Sequence, residues 1–364
     1  MKWSVLLLFL LLALPSYGQG KSPNGPPGPI GNPNNQGNQG ANQGNEGRAN
    51  APIPGQRIQL APGQDPKALV PSSAQNAAQL GFQTELSFSN LSVVRNVLVS
   101  SFSHDGTEVG FWAAGHGDFV KEEGEAKVAT GGIVFAVDKR FSSHLVLGIA
   151  GGYSYSSSSE IDSSSGWGGG YFTLFGCGFY FNQILIGGGN TFSTSRAGLL
   201  GTAKANSAGW FFSSVSEAGW QAKWRNLTLG PYALFQYSLA GNGSFSESGS
   251  DVPLDVHSGS QDSIISDLGA EASYAFGRLT ARGSLSWEHE YADTTTLSKV
   301  NIIGIPSSLT TVSGTSLGHD SLIINAGLSY KLTKSISVGV GYIGQVGRKN
   351  EQSNSITANI RIGF

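Results

Sequence analysis

From Val109 to the end of the chain, stretch after stretch places an apolar residue at every second position. No other feature narrows the possible folds as much. Alternation of this kind puts one row of side chains on each face of a β-strand, so each strand has one greasy and one wet side. Twelve such stretches can be marked: Val109–Val120, Val128–Val137, Leu145–Ser156, Gly166–Tyr180, Ile184–Thr194, Ala208–Trp224, Leu227–Leu239, Ser263–Phe276, Leu279–Ala292, Asp320–Leu332, Ile336–Val346 and Ser353–Phe364. One face of the seventh carries Leu227, Leu229, Pro231, Ala233, Phe235, Tyr237 and Leu239. One face of the tenth carries Leu322, Ile324, Ala326, Leu328, Tyr330 and Leu332. Their opposite faces hold Gly, Ser, Thr, Asn and Gln, as expected of a watery or glycine-lined lumen.

The connections separate a barrel from a sandwich. Asp138–His144, Phe181–Gln183, Arg225-Asn226, Gly277-Arg278 and Thr333–Ser335 are short. Ser157–Ser165, Ser195–Ser207, Ala240–Asp262 and Asp293–His319 are long and interleave with the short ones; Lys121–Lys127 and Gly347–Gln352 complete the second set. An up-and-down barrel with short periplasmic turns and longer outer loops produces this order. A soluble sandwich shares the alternation but does not enforce the interleaving. The expected fold is all-β: a twelve-stranded antiparallel transmembrane β-barrel of the outer membrane.

Composition agrees. Charged residues make up 13% of the chain, about half the usual share, and its 52 glycines are about double the usual proportion. A net charge of −2 leaves no electrostatic footprint for nucleic acid. The single cysteine, Cys177, excludes an intramolecular disulfide framework and a cysteine-based metal cluster; a strand-wall position is expected for it. Trp167, Trp210, Trp220, Trp224, Tyr153, Tyr155, Tyr274, Tyr291 and Tyr342 suit headgroup-level girdles.

The last strand ends Ile356, Ala358, Ile360, Ile362, Phe364 on its apolar face. Pairing it with Val109–Val120 would leave no strand edge exposed to lipid. Ile360, Ile362 and Phe364 are expected to serve as the assembly signal, with the outer-membrane barrel assembly machinery as partner.

The N-terminus reads as export followed by a polar arm. Met1-Lys2 are followed by the apolar run Val5–Leu14 and by small residues at Ser16 and Gly18, a signal peptide over residues 1–18 cut after Gly18. The Sec translocon and signal peptidase are its implied partners. Residues 19–83 are rich in Asn, Gln, Gly and Pro and cannot bury enough surface to offset their conformational entropy, so a disordered passenger or linker is expected. Within 84–107, Glu85–Phe102 is the candidate helix, with Leu91, Val94, Leu98 and Phe102 at helical spacing.

Over residues 108–364 the chain resembles the translocator domain of bacterial autotransporters, the type V secretion family. The resemblance rests on Thr130–Arg140 with Val146–Tyr155, on Gly230-Pro231-Tyr232-Ala233 leading to Leu268-Gly269-Ala270-Glu271, on Trp287-Glu288-His289-Glu290-Tyr291, and on the closing Ile360–Phe364. It implies a barrel with a helix threading the lumen and an N-terminal passenger at the cell surface, in a monomer surrounded by outer-membrane lipid. No Asn-Asn pair occurs in the candidate helix, where Asn90 and Asn96 stand apart, so the arm is expected to stay attached. A pore or adhesin barrel whose arm remains periplasmic is the first alternative, and an outer-membrane hydrolase using a histidine such as His116 the second.

The remaining chemistry is expected to be structural. Glu288 and Glu290 share one strand face while His289 points to the other, so Trp287–Glu290 does not form a metal cluster. Asp267, Glu271, Arg282 and Glu288 are placed in the lumen, paired with one another or with Arg95 of the helix. His116 and Asp118 share a face, but no nucleophile–base–orienter set can be assigned, so no catalytic residue, metal or cofactor is expected. Removing Phe364 should lower the amount of membrane-inserted barrel, measured as the heat-shiftable band in outer-membrane fractions; unchanged levels would sink the assembly role.

Overall fold

The computed structural model describes residues 65–70, 93–95, 109–122, 127–197 and 201–364. In chain order the strands are β1 (Val109–Glu122), β2 (Val128–Ser142), β3 (Leu145–Ser157), β4 (Ile161–Gly176), β5 (Phe179–Ala197), β6 (Gly201–Trp220), β7 (Ala222–Trp224), β8 (Leu227–Asn242) and β9 (Phe245–Ser246). They continue with β10 (Ser248–Ser250), β11 (Leu254–Val256), β12 (Gly259–Phe276), β13 (Leu279–Glu290), β14 (Thr295–Ile302), β15 (Ile305–Ser316), β16 (Asp320–Lys331), β17 (Ile336–Val346) and β18 (Glu351–Gly363). Twelve of these, β1–β6, β8, β12, β13 and β16–β18, form one closed antiparallel ring. The seam is β18 on β1, in unbroken register from Gly110↔Gly363 to Glu122↔Glu351.

The alternation sorts the side chains as the sequence requires, with the greasy row outward. Phe119, Phe135, Ile149, Phe235, Leu268 and Ile356 are all exposed on the barrel exterior. So wide an apolar surface suits hydrocarbon rather than water. Among the described residues no helix is long and apolar enough to cross a membrane. The crossing elements are the strands.

All twelve expected strands are present, but several connections differ. Ser157–Ser165 and Ser195–Ser207 are not long loops: β3 and β4 leave only residues 158–160 between them, and β5 and β6 only residues 198–200. A ladder can continue past the apolar band because its hydrogen bonds need no greasy side chains. Ser and Thr then occupy both faces, and the period that marks a strand fades. The turn expected at Phe181–Gln183 lies instead at Cys177-Gly178, where φ is +54° and +83°. Such angles are those of a two-residue hairpin turn. Cys177 is therefore an exposed turn residue, not part of the wall. Phe175, Phe179 and Phe181 carry the apolar pattern straight through the turn and conceal it.

The two remaining long connections are folded. β10 pairs with β6, while β9, β11, β14 and β15 build a separate four-stranded sheet in the order β15-β14-β11-β9. Leu254, Val256, Val300 and Ile302 form its core, each almost wholly buried. This sheet sits at the end of the barrel opposite the short turns. Val70, from the polar N-terminal stretch, joins that core. It follows a 3-10 turn over Pro66–Leu69 whose N-cap, Asp65, accepts a hydrogen bond from the Lys67 amide at 3.0 Å. Of the candidate helix Glu85–Phe102, residues 93–95 are helical; the rest of it, the signal segment and the remainder of 19–83 lie outside the described residues.

Gly230 shows how tightly β6, β7 and β8 meet. A Cβ there would lie 1.6 Å from the backbone carbonyl oxygen of Trp220, whereas one at Gly166 would meet nothing within 4 Å. Backbone cannot swing aside as a side-chain tip can. Gly230→Ala should cut the heat-shiftable folded band severalfold and Gly166→Ala should not; equal folded fractions would show that the β6–β8 junction yields.

Candidate functional site: the barrel lumen

Two kinds of surface line the lumen. On the side built by β1–β8, Trp112, Val134, Ile184, Ile186, Phe211 and Val215 turn inward and pack around Val93 and Val94 of the helical segment, both fully buried. This half departs from the watery or glycine-lined lumen expected from the Gly, Ser, Thr, Asn and Gln rows. The inward greasy residues were hidden because strands with apolar residues on both faces lose their alternation. Trp167, expected in a girdle, also lies on this inner wall. Trp210, Trp220, Trp224, Tyr153, Tyr155, Tyr274, Tyr291 and Tyr342 are exposed on the outside.

Arg95, one residue past this greasy contact, forms an ion pair with Glu217 of β6. Its guanidinium also lies 5.0 Å from the centroid of the Tyr232 ring, within cation–π range. Glu217 was not singled out from the sequence. It is the sole acidic residue of β6, on the strand row that also carries Phe211 and Val215, and this was the available signal.

The other charged residues read as lumen-facing do face inward, in separate groups. Glu271 accepts hydrogen bonds from the Tyr180 hydroxyl at 3.1 Å and the Gln221 amide at 2.7 Å. Asp267 lies directly across the ladder from Glu288, carboxylate to carboxylate. Glu288 accepts from Ser321 and from Gln345, each at 2.7 Å. Arg282 is opposite Ser273. A cavity of about 390 Å³ reaches toward the short-turn end and is lined by Arg95, Gln221, Glu271, Arg282, Asn325 and Asn359. Lys223 lines it as well, so three cations, Arg95, Lys223 and Arg282, stand around it with one carboxylate, Glu271, and several amides.

Among the described residues, His116 makes the one arrangement that resembles catalytic machinery. Its Nδ1 is 2.7 Å from Asp118 Oδ2 and its Nε2 is 3.5 Å from Ser154 Oγ, all three groups being buried on the lumen wall. Gly132 leaves the ring its space, since a Cβ there would fall 2.2 Å from Nε2. The backbone amides of β1, β2 and β3 are committed to the ladder, so no pair of them faces the Ser154 hydroxyl to form an oxyanion site. Among the described residues no set of three His, Cys, Asp or Glu side chains is disposed to hold a metal. His289 points outward at the rim and meets Asp320 at 2.8 Å.

The closing strand carries a second polar site. Ile360, Ile362 and Phe364 lie on its outer row, and Phe364 donates its amide to the Val109 carbonyl at 2.8 Å. On the inner row, Arg361 reaches across β1 to grip Asp138 of β2 with two hydrogen bonds of 2.6 and 2.7 Å. The Tyr171 hydroxyl of β4 donates to Asp138 at 3.0 Å and accepts from Trp112 Nε1 of β1 at 3.0 Å. Gly110 lies beneath the pair: a Cβ there would come within 2.3 Å of the guanidinium. One buried cluster thus ties β18, β1, β2 and β4 together across the seam.

Residues 111–343 match the Autotransporter beta-domain family. No curated protein sequence matches the chain. Among solved structures, the translocator domain of autotransporter NalP from Neisseria meningitidis is similar at 14% identity and a TM-score of 0.65, covering 80% of this chain and 100% of that one. The beta domain of the Bordetella autotransporter BrkA aligns at 16% identity and a TM-score of 0.53, over 71% of this chain and 100% of that one. The transport unit of autotransporter AIDA-I from Escherichia coli aligns at 16% identity and a TM-score of 0.50, over 81% of this chain and 99% of that one. At these identities the likeness concerns the fold.

Removing one partner of a buried, hydrogen-bonded ion pair strands the other, at a cost of about 3–5 kcal/mol. Arg361→Met alone should therefore lower the unfolding temperature of the refolded barrel more than Arg361→Met combined with Asp138→Leu. A double variant no more stable than the single one would show that the pair is not a closed unit.

Proposed function

Because this chain belongs to the autotransporter β-domain family, we propose that its outer-membrane barrel carries the N-terminal segment through the lumen and displays it at the cell surface. The observation that supports this most directly is the path of the chain. Val70 packs into the sheet at the end away from the short turns, residues 93–95 pack inside the barrel, and Val109 begins β1 at the short-turn end. Short turns face the periplasm in barrels of this kind and long connections face outward. A chain met at those three levels in that order runs from outside to inside along the lumen.

In this mechanism the barrel is inserted by the assembly machinery, which reads the β18 end with Ile360, Ile362 and Phe364. The arm crosses, and the segment around Val93, Val94 and Arg95 remains as a plug. The greasy half of the wall holds its apolar face, and Glu217 neutralises Arg95. A barrel domain acting in this way needs no catalytic residue, metal or cofactor.

External protease added to intact cells should remove the arm while leaving the barrel; an arm protected on cells that are shown to be intact would overturn the surface-display reading in favour of a pore or adhesin. Refolded barrel lacking residues 1–102 should conduct ions at least severalfold better in planar bilayers than the longer chain. Equal conductance would rule out the plug.

A further inference from the structure

The sheet of β9, β11, β14 and β15 has no role in the conduit itself. It is nonetheless built around a buried apolar core of its own. Its core of Phe245, Val252, Leu254, Val256, Val300, Ile302 and Val312 is closed from below by Ala205 of the barrel wall. A buried clasp fixes it there: Arg196 of β5 grips Glu247 through Nη2 at 2.5 Å and Nε at 3.2 Å, and donates to the Val252 carbonyl at 3.0 Å. Glu247 accepts in turn from the Leu254 amide at 3.1 Å. The sheet is thereby anchored to the barrel independently of the N-terminal arm.

What completes its core is the arm. The Pro66–Leu69 turn lies against β15, and Val70 enters the same cluster as Val300 and Ile302 with 9% of its surface left exposed. The turn is prepared for this position, with Asp65 capping it and the Val70 amide donating to the Lys67 carbonyl at 3.2 Å. The surrounding stretch, residues 19–83, is poor in large apolar side chains. A stretch of that composition has little apolar surface of its own to bury on the outer side.

We propose that this outer sheet is a docking platform for the chain's own Asp65–Val70 segment, and that docking retains the exported arm at the outer mouth. The proposal rests on the surface-display reading given above. The sheet does for a passenger without a folded domain what passenger folding would otherwise do: it makes the outside position the lower in free energy. Burial of one valine side chain weights the docked over the undocked arm by roughly ten- to a hundredfold.

Trypsin can report docking, because Lys67 lies in the docked turn and Arg48 lies well outside it. Cleavage within a docked turn requires local opening and tracks the open population. In the purified full-length chain, Val70→Asp should speed cleavage after Lys67 by about tenfold or more relative to cleavage after Arg48. Val70→Ile should leave that ratio within about twofold of the parent chain. Parent and Val70→Asp chains cut at equal relative rates after Lys67 would overturn the proposal. On intact cells, Val70→Asp should also reduce the share of arm reached by external trypsin at Arg48; an unchanged share would overturn the retention step. An arm unreachable on cells in the parent chain itself would instead remove the surface-display reading, while the ratio measured on purified protein would still decide whether the segment docks.

Discussion

Every strand of a barrel in hydrocarbon must find both of its hydrogen-bonding neighbours, because no water is present to take the place of a missing one. In this chain that demand converges on one seam, β18 against β1. The other neighbours in the ring are joined by turns, by loops or by a short break, and they meet almost as the chain is laid down. β18 and β1 are separated by the whole barrel, so their pairing carries the loop-closure cost. The Arg361–Asp138 pair, with Tyr171 and Trp112, is placed at this point, and Gly110 gives up its side chain to let the pair lie flat on the seam. Directional, buried hydrogen bonds suit a place where register has to be fixed, since a slip of one residue would turn the greasy row of β18 inward.

The lumen divides its work between packing and charge. Apolar residues on one half of the wall provide a seat for Val93 and Val94, and the carboxylate of Glu217 meets the one cation that follows them. The facing half is polar and rich in glycine, leaving the cavity near the short turns. A segment held on one side of a wet channel can be firmly seated without filling it. The His116–Asp118–Ser154 set belongs to the same inner wall, hydrogen-bonded across β1 and β3.

Beyond the membrane the same strands serve another purpose. β5 and β6 continue past the apolar band, and the extension carries Arg196 and Ala205, to which the four-stranded outer sheet is fastened. Barrel, sheet and arm are thus linked through a few residues at one end.

The sequence by itself determined the twelve strands, their antiparallel order, the outward greasy face and the closing role of Gln352–Phe364. Each follows from a period of two repeated between turns, a local property that side-chain identity writes directly into the chain. Inward-facing Asp267, Glu271, Arg282 and Glu288 were legible for the same reason. Only the tertiary structure decided what those faces meet. Glu217 for Arg95, Asp138 for Arg361 and Glu247 for Arg196 are pairings across 122, 223 and 51 residues of sequence, fixed by barrel closure rather than by any local pattern. The outer sheet stayed hidden because β9 and β11 are too short to show a period, while the buried positions of β14 and β15 mix Thr296, Ser298 and Ser308 with Val300, Ile302 and Val312. Val70 looked like one apolar residue in a polar arm until a core assembled from three distant segments closed around it.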